Sequence, residues 1–401
     1  MLEQLKKDIN SGITALGIGP MSKNIVDASV EIADDFDVPV MLIASRRQID
    51  SKSIKRGYVC NWSTEEFADY VKSIQKKNNV ILARDHGGPW QNNIEISKKL
   101  SLKDAMKSAK DSYIVDIESG FNIIHLDPSI DIFHQLSFDK IFERLQELYV
   151  FCSDYSKKIN RDIEFEVGTE EQMIYSNSLL EFQSMLEKIK KFCIDSSLKE
   201  PLFVVSQIGT KVMEMKNIGL LNQENNEKLK AQIVQLCDVA KKHGFYVKVH
   251  NSDYLQKNII QEFPSFGISA ANIAPEFGVC ESYSFLKLLE EHYLFELANE
   301  FLELSYNSQK WDKWLIVGSR ISMRDKALIS GHYIYSTDEF KTIKEKAQKQ
   351  IKDFNIDIYL KNNVKRIILD YMVNLGYKNL QETKFVSINW KTLGQGRNSW
   401  T

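Results

Sequence analysis

Eight short runs rich in Val and Ile alternate with longer amphipathic stretches, and polar residues gather where those runs end. Most successive runs begin about 40 residues apart, the length of one strand, loop, helix and return. Together these observations predict an α/β protein: a closed (β/α)8 TIM barrel with a helical C-terminal extension.

The strands expected are Ile13–Gly19, Val38–Ala44, Asn79–Asp85, Phe121–Asp127, Ile163–Thr169, Leu202–Ile208, Phe245–His250 and Gly267–Ile273. Helical spacing is plain between them, as in Leu180 with Met185, Leu186 and Ile189, or Leu229 with Ile233, Val234 and Cys237. Strict alternation of this kind means a parallel sheet, open or closed. Closure is favoured because Asp85, His86, Asp127, Glu166, Thr169, Glu170, Gln207, His250 and Asn272 all fall at or just past strand ends. In a barrel those ends converge on one face; in an open sheet they would spread along an edge. The segment Gly17-Ile-Gly19-Pro20 lacks the third glycine of a dinucleotide loop and runs into a proline, which argues against a nucleotide-binding open sheet.

Past about residue 295 the rhythm stops. Glu296–Leu304, Thr337–Phe354 and Val364–Leu375 read as helices, with Trp311, Trp314, Tyr333 and Tyr335 between them. The expected organisation is therefore a barrel over residues 1–295 and a helical extension over 296–401 packed on it.

Composition narrows the function. A net charge of −2 provides no field for nucleic acid or an anionic membrane. The polar N-terminus is unlike a signal peptide, and no stretch approaches the roughly 18 apolar residues of a membrane span. The five cysteines are scattered and show no metal-binding spacing, as in a reduced, cytoplasmic chain.

Several residue groups can carry chemistry. Asp85-His86-Gly87-Gly88-Pro89 closes the third strand, and consecutive residues there point in different directions. One can bind a metal while the other faces substrate, and the glycines let backbone approach a ligand. His250 ends the strand Val247-Lys-Val-His250, where its imidazole can share a divalent cation with His86 across the barrel mouth. Glu166 and Glu170, at i and i+4 across a glycine turn, can supply a metal ligand and a general acid or base. His125 and Asp127 alternate on one strand face and, if buried, need a partner or a metal. Gln207, Lys211 and Asn272 lie at later strand ends, and Arg46-Arg47, after the second strand, can grip an anionic substrate. Bland alternatives stand beside each: capping carboxylates, loop histidines and surface ion pairs. His134, His243, His292 and His332 show no legible pairing, and His332 is not expected over the mouth.

Taken in order, the motifs resemble the GatZ/KbaZ-type subunits of bacterial tagatose-bisphosphate aldolase, within the class II, metal-dependent ketose-bisphosphate aldolases. The likeness rests on Ala44-Ser-Arg-Arg-Gln48 with Arg56-Gly-Tyr58, on Ile81 to Pro89, and on Gly120 to Ser129. It continues through Val167-Gly-Thr-Glu170, Val249-His-Asn-Ser-Asp-Tyr254 and Gly267 to Pro275, and covers most of the chain. The resemblance implies that Asp85 is the acid/base aspartate, that His86 and His250 are metal histidines, and that Asn272 contacts substrate. Gln48, Ser252 and Asp253, with Arg46, Arg47, His125 and Asp127, complete the expected substrate surface. The third metal histidine expected after the sixth strand is missing, since that region reads Ser206-Gln-Ile-Gly-Thr-Lys-Val-Met213. Glu170 or Gln207 is expected in its place.

The function these readings imply is divalent-metal-dependent retro-aldol and aldol chemistry, as an aldolase or C4-epimerase, on a phosphorylated or otherwise anionic ketose, with zinc the expected metal. The alternative is a non-catalytic subunit that stabilises a separate class II aldolase, and a more distant one is a sugar isomerase. The expected partners are the ketose and either further copies of the chain or an aldolase subunit, with no nucleic acid and no membrane.

Overall fold

The computed structural model describes residues 1–168, 179–224 and 226–380. Its centre is a closed barrel of eight parallel strands. In chain order the strands are β1 (Ala15–Ile18), β2 (Val40–Ser45), β3 (Val80–Gly87), β4 (Ile123–Leu126), β5 (Glu164–Val167) and β6 (Phe203–Val205). A two-stranded hairpin, β7 (Val212–Met213) and β8 (Lys216–Asn217), precedes β9 (Tyr246–Val249) and β10 (Ala270–Ile273). Around the ring the order is β1-β10-β9-β6-β5-β4-β3-β2, closed by parallel pairing of Ala15–Ile18 with Ala270–Ile273. Each of the eight expected runs contributes one barrel strand.

Alternation sorts the side chains. Leu16, Ile18, Leu42, Ala44, Ile124, Leu126, Phe165, Val167, Val247, Val249, Ala271 and Ile273 face outward into one large core shared with the surrounding helices. The intervening apolar residues, Ala15, Met41, Ile43, Ile81, Ala83, Ile123, Phe203 and Ala270, face inward and form a separate cluster with Leu5 and Ile9. The helix Leu2–Asn10 thus plugs the N-terminal end of the barrel with Leu5 and Ile9, while its Lys6 meets the buried Glu164 at 2.9 Å. Period-two packing of this kind fixes register, because a slip by one residue would turn the inner set outward.

The last expected strand begins later than the sequence suggested. Gly267 is the left-handed C-cap (φ 83°) of the helix Lys257–Phe266, so pairing starts only at Ala270. In the C-terminal region, helices at Phe295–Asn307, Asp338–Gln350 and Ile356–Asn374 match the three expected. A fourth, Met323–Ile334, was not anticipated, and it takes in Tyr333, which the sequence pattern set between helices. A capping box of Ser322 and Asp325 starts it, but Ala327 through His332 are all buried, leaving no polar face to betray a helical period. Helices 295–307 and 323–334 pack with Pro275–Glu291 in a core of their own, whereas Ile356–Asn374 lies against Lys23–Phe36 of the barrel's outer layer. Among the described residues no helix is long and apolar enough to cross a membrane.

The junction between barrel and extension holds a buried carboxylate. Glu281 accepts hydrogen bonds from Ser22 and from Asn24, the latter at 2.7 Å. Burial pushes its carboxyl up to about 7, against the opposing pull of Ser22 and Asn24. The folded chain therefore holds this proton more tightly than the unfolded chain, whose glutamate titrates near the ordinary 4.5. The stabilisation is complete below about pH 4.5 and is lost as pH rises through about 7. Between pH 4.5 and 8, denaturant unfolding of the wild type is expected to lose on the order of 3 kcal/mol more than Glu281→Gln. Parallel pH profiles for the two proteins would show that Glu281 is not the responsible group.

Candidate metal and active site

The C-terminal strand ends bring together residues from six strands. In β3 the register against β4 shifts between Arg84 and Gly87, and His86 takes a left-handed backbone (φ 45°). This bulge lets Asp85 and the next residue both turn toward the barrel axis, where plain alternation would send His86 outward. Gly88 completes the turn at φ 151°, and a Cβ there would stand 2.1 Å from the Asp127 carbonyl oxygen. Arg46 holds the loop from outside, donating to the Gly88 carbonyl at 2.7 Å while paired with Asp50 and Glu95 at 3.0 and 2.6 Å.

Two imidazoles meet at the axis. Nε2 of His86 lies 3.2 Å from Nδ1 of His250, with ring centroids 4.8 Å apart. On its far side, Nδ1 of His86 is 2.8 Å from the Asp127 carboxylate. Asp127 also accepts from Ser129 and Gln91, so it is fully engaged behind the ring. A carboxylate on one ring nitrogen, with the other nitrogen turned to the cation, is the usual support of a metal-bound histidine. Nε2 of His250 lies 3.1 Å from Glu166 Oε1 and 3.8 Å from Asp85 Oδ1. His125 completes the group, its Nδ1 3.5 Å from Glu166 and 4.0 Å from Asp85.

Beneath the group, Lys248 from β9 is fully buried and meets Glu166 Oε2 at 2.6 Å. Burial raises the Glu166 carboxyl, but the Lys248 ammonium and the two imidazoles outweigh it and hold it well below the usual range. Asp127 is held low in the same way, with His86 opposing burial. Burial lowers His125 and keeps it neutral; its Nδ1 accepts the His86 backbone N–H at 3.1 Å. Asn272 lies across Gly17, where a Cβ would stand 2.3 Å from its Oδ1, and donates to Asp85 at 3.1 Å.

This arrangement suits a divalent cation. One ligand atom from each of Asp85, His125, Glu166 and His250 lies within 4.8 Å of the others. The row Asp127–His86–His250–Glu166 sets two imidazoles end to end between two carboxylates.

The structure places the remaining sequence candidates as follows. Arg46 is absorbed in the ion pairs that brace the Gly88 loop. Gln207 turns back on its own loop, accepting from the Gly209 and Thr210 amides at 3.0 Å, and so does not join the imidazoles. Asp253 accepts the Ala274 and Glu276 amides at 2.9 Å, capping the helix after β10. Gln48 accepts from the Ser45 amide, and Ser252 is buried beside Asn272. Arg47 sits half-buried past β2. Glu170 and Thr169 lie outside the described residues. His125, expected to meet substrate, stands among the potential ligands. Lys248 was missed, although a lysine two residues before His250 in a strand shares its inward face.

No family model matches the chain, and no curated protein matches it. Among solved structures, the chain is similar to a probable tagatose 6 phosphate kinase from Sinorhizobium meliloti 1021, with TM-score 0.69 and 17% identity. That match covers 90% of this chain and 100% of the other, so it runs past the barrel into the C-terminal helices. It shows a shared fold. The YdjI aldolase from Escherichia coli K12 gives TM-score 0.44 at 14% identity, over 88% of this chain and 96% of that one. A putative fructose-1,6-biphosphate aldolase from Coccidioides immitis gives TM-score 0.44 at 12% identity, over 87% and 96%. At that score the overlap is too loose to bear on the barrel's details.

The buried ion pair gives a stability test. Lys248→Met is expected to cost about 3 to 5 kcal/mol by stranding the Glu166 charge, and Glu166→Gln added to it should restore part of the loss. Additive losses in denaturant unfolding would rule the pairing out.

Proposed function

We propose that this chain is a divalent-metal-dependent catalyst of retro-aldol and aldol steps on a phosphorylated or otherwise anionic ketose, working as an aldolase or C4-epimerase. The observation that carries the reading is the gathering of Asp85, His125, Glu166 and His250, one ligand atom of each within 4.8 Å of the others, with His86 against His250. The tagatose phosphate for which the Sinorhizobium neighbour is named, and the chain's likeness to GatZ/KbaZ-type sequences, support a sugar-phosphate class. Zinc suits a set of imidazoles and one or two carboxylates.

His86 and His250 would hold the cation between the ring nitrogens that face each other, while Glu166 supports His250 from its other ring nitrogen. A divalent cation there would supply Lewis acidity toward a ketose carbonyl. Asp85 is the more exposed of the two carboxylates, at 12% of its side chain against 0% for Glu166, and it faces the opening. In the cleavage direction Asp85 takes the proton of the C4 hydroxyl. That oxygen's electron pair forms the C4 carbonyl as the C3–C4 bond breaks, and the bond's pair passes toward C2. Asn272 keeps Asp85 oriented through its 3.1 Å hydrogen bond. Release of the two fragments is aldol cleavage. Re-addition to the other face of the aldehyde inverts C4, and there the proton must come from a second acid on the side opposite Asp85, for which Glu166 or Glu170 is the candidate.

Elemental analysis of the purified protein should find a stoichiometric divalent metal, lost in His86→Ala and in His250→Ala. Asp85→Asn should keep the metal while turnover falls about 10²- to 10⁴-fold. Triose products identify an aldolase, and a C4 epimer identifies the epimerase. A chain that binds no metal, and yields activity only when added to a separate aldolase, would be the supporting subunit instead.

A further inference from the structure

The segment after the helix Phe295–Asn307 reaches back over the strand ends. The Trp314 carbonyl accepts the Glu214 amide at 3.0 Å, and the Glu214 carboxylate accepts the Ile316 amide at 3.1 Å, both contacts to the loop after β6. The Trp314 indole donates to the Tyr333 hydroxyl at 3.2 Å, and the Tyr333 ring packs 4.6 Å from that of Tyr58, in the loop after β2. In the ring order, β2 and β6 stand four places apart on either side, which is diametrically opposite. Trp314 therefore links loops from opposite sides of the mouth.

Beside it stand two cations with no acidic partner among the described residues. The Lys313 ammonium lies 4.9 Å from the Trp314 ring centre and 5.4 Å from that of Tyr333, so cation–π contacts fix its position while its side chain reaches solvent. Arg47 rises two residues beyond Ser45, which is level with Asp85 in the sheet. Its buried Nε has no hydrogen-bond partner among the described residues. The Arg47 carbonyl accepts the Tyr58 amide at 3.4 Å, and the Tyr58 ring packs on the Tyr333 ring over which Lys313 lies, so the two residues flank the same aromatic pair. His332 stands close behind, buried and held neutral, so it does not compensate these charges. These two like charges, one on the barrel and one on the extension, form no ion pair with an acidic side chain among the described residues, and an anion would be drawn to them.

We propose that Arg47 and Lys313 seat the anionic end of the ligand, a phosphate or carboxylate group, under the Trp314 span. This rests on the proposed function only for what lies at the ligand's other end. Guanidinium and ammonium groups fit either anion, and Lys313 gives the C-terminal extension a direct part in selecting substrate.

The test titrates the full chain with inorganic phosphate and, separately, with acetate, by calorimetry, in the wild type, Arg47→Gln, Lys313→Gln and Lys313→Arg. The wild type should bind at least one anion. Each glutamine variant should weaken that binding about tenfold or more, and Lys313→Arg should restore most of it. Binding of phosphate alone points to a phosphorylated ketose; binding of acetate alone points to a sugar acid. The proposal is overturned if the wild type binds neither, or if both glutamine variants bind as the wild type does. Metal content measured on the same samples keeps the two readings apart. Anion binding that depends on Arg47 and Lys313 in a protein free of metal would leave the seat standing and remove the metal chemistry. Normal metal content with anion binding indifferent to both residues would do the reverse.

Discussion

An ionised carboxylate inside a barrel is tolerated only where cations meet it, and Glu166 is that carboxylate. Lys248 approaches one oxygen from the layer below, and His250 and His125 approach the other from the mouth. A group brought wholly out of water loses several kcal/mol of hydration, so both sides of Glu166 must be furnished for the charge to persist. Lys248 fixes one oxygen, which leaves the other aimed upward. The direction in which the site presents negative charge is thus set by a lysine that meets no solvent.

Closure of the sheet makes that arrangement possible. Lys248 and His250 come from β9, Glu166 from β5 and His125 from β4, and they meet because inward residues on successive strands share levels. His125 is level with Glu166, and Val205 with Lys248. Below that level the inward residues are mostly apolar and packed against Leu5 and Ile9, with Glu164 met by Lys6 at the N-terminal end. Gly17 contributes by absence, since any side chain there would displace Asn272 and with it the hydrogen bond to Asp85.

How much of this the sequence disclosed follows from the same physics. Strands were legible because alternation and β-branched residues report a two-sided apolar environment, and all eight formed. The meeting of His86 with His250 was legible only as a consequence of closure. That His86 turns inward at all depends on a bulge, a backbone feature that residue types alone do not declare. Arg46 and Gln207 looked like mouth residues because they follow strand ends. The loops there carry amides, carbonyls and buried acids that need partners, and these two side chains were taken up in satisfying them. Arg47, next to Arg46 in the chain, was left over. The helix holding Tyr333 was hidden for the opposite reason: beyond its first turn Ala327 through His332 are buried without a break, and a period needs a polar face to be seen.

The mouth that results is polarised. Asp85 and Glu166 place negative charge at the axis, where a divalent cation is suited, while Arg47 and Lys313 gather positive charge under the Trp314 span. A ligand with hydroxyl and carbonyl oxygens at one end and an anion at the other can bind in one direction. In the reverse direction its anion would face two carboxylates and its neutral end two cations that have no acidic partner among the described residues, which disfavours that orientation. Direction matters here because cleavage between C3 and C4 requires that C4, and no other hydroxyl-bearing carbon, lie beside Asp85. On this view the C-terminal extension does more than cover the barrel. By carrying Lys313 across from the far side of the mouth, it converts a symmetric opening into one that sets the order of the sugar's carbons.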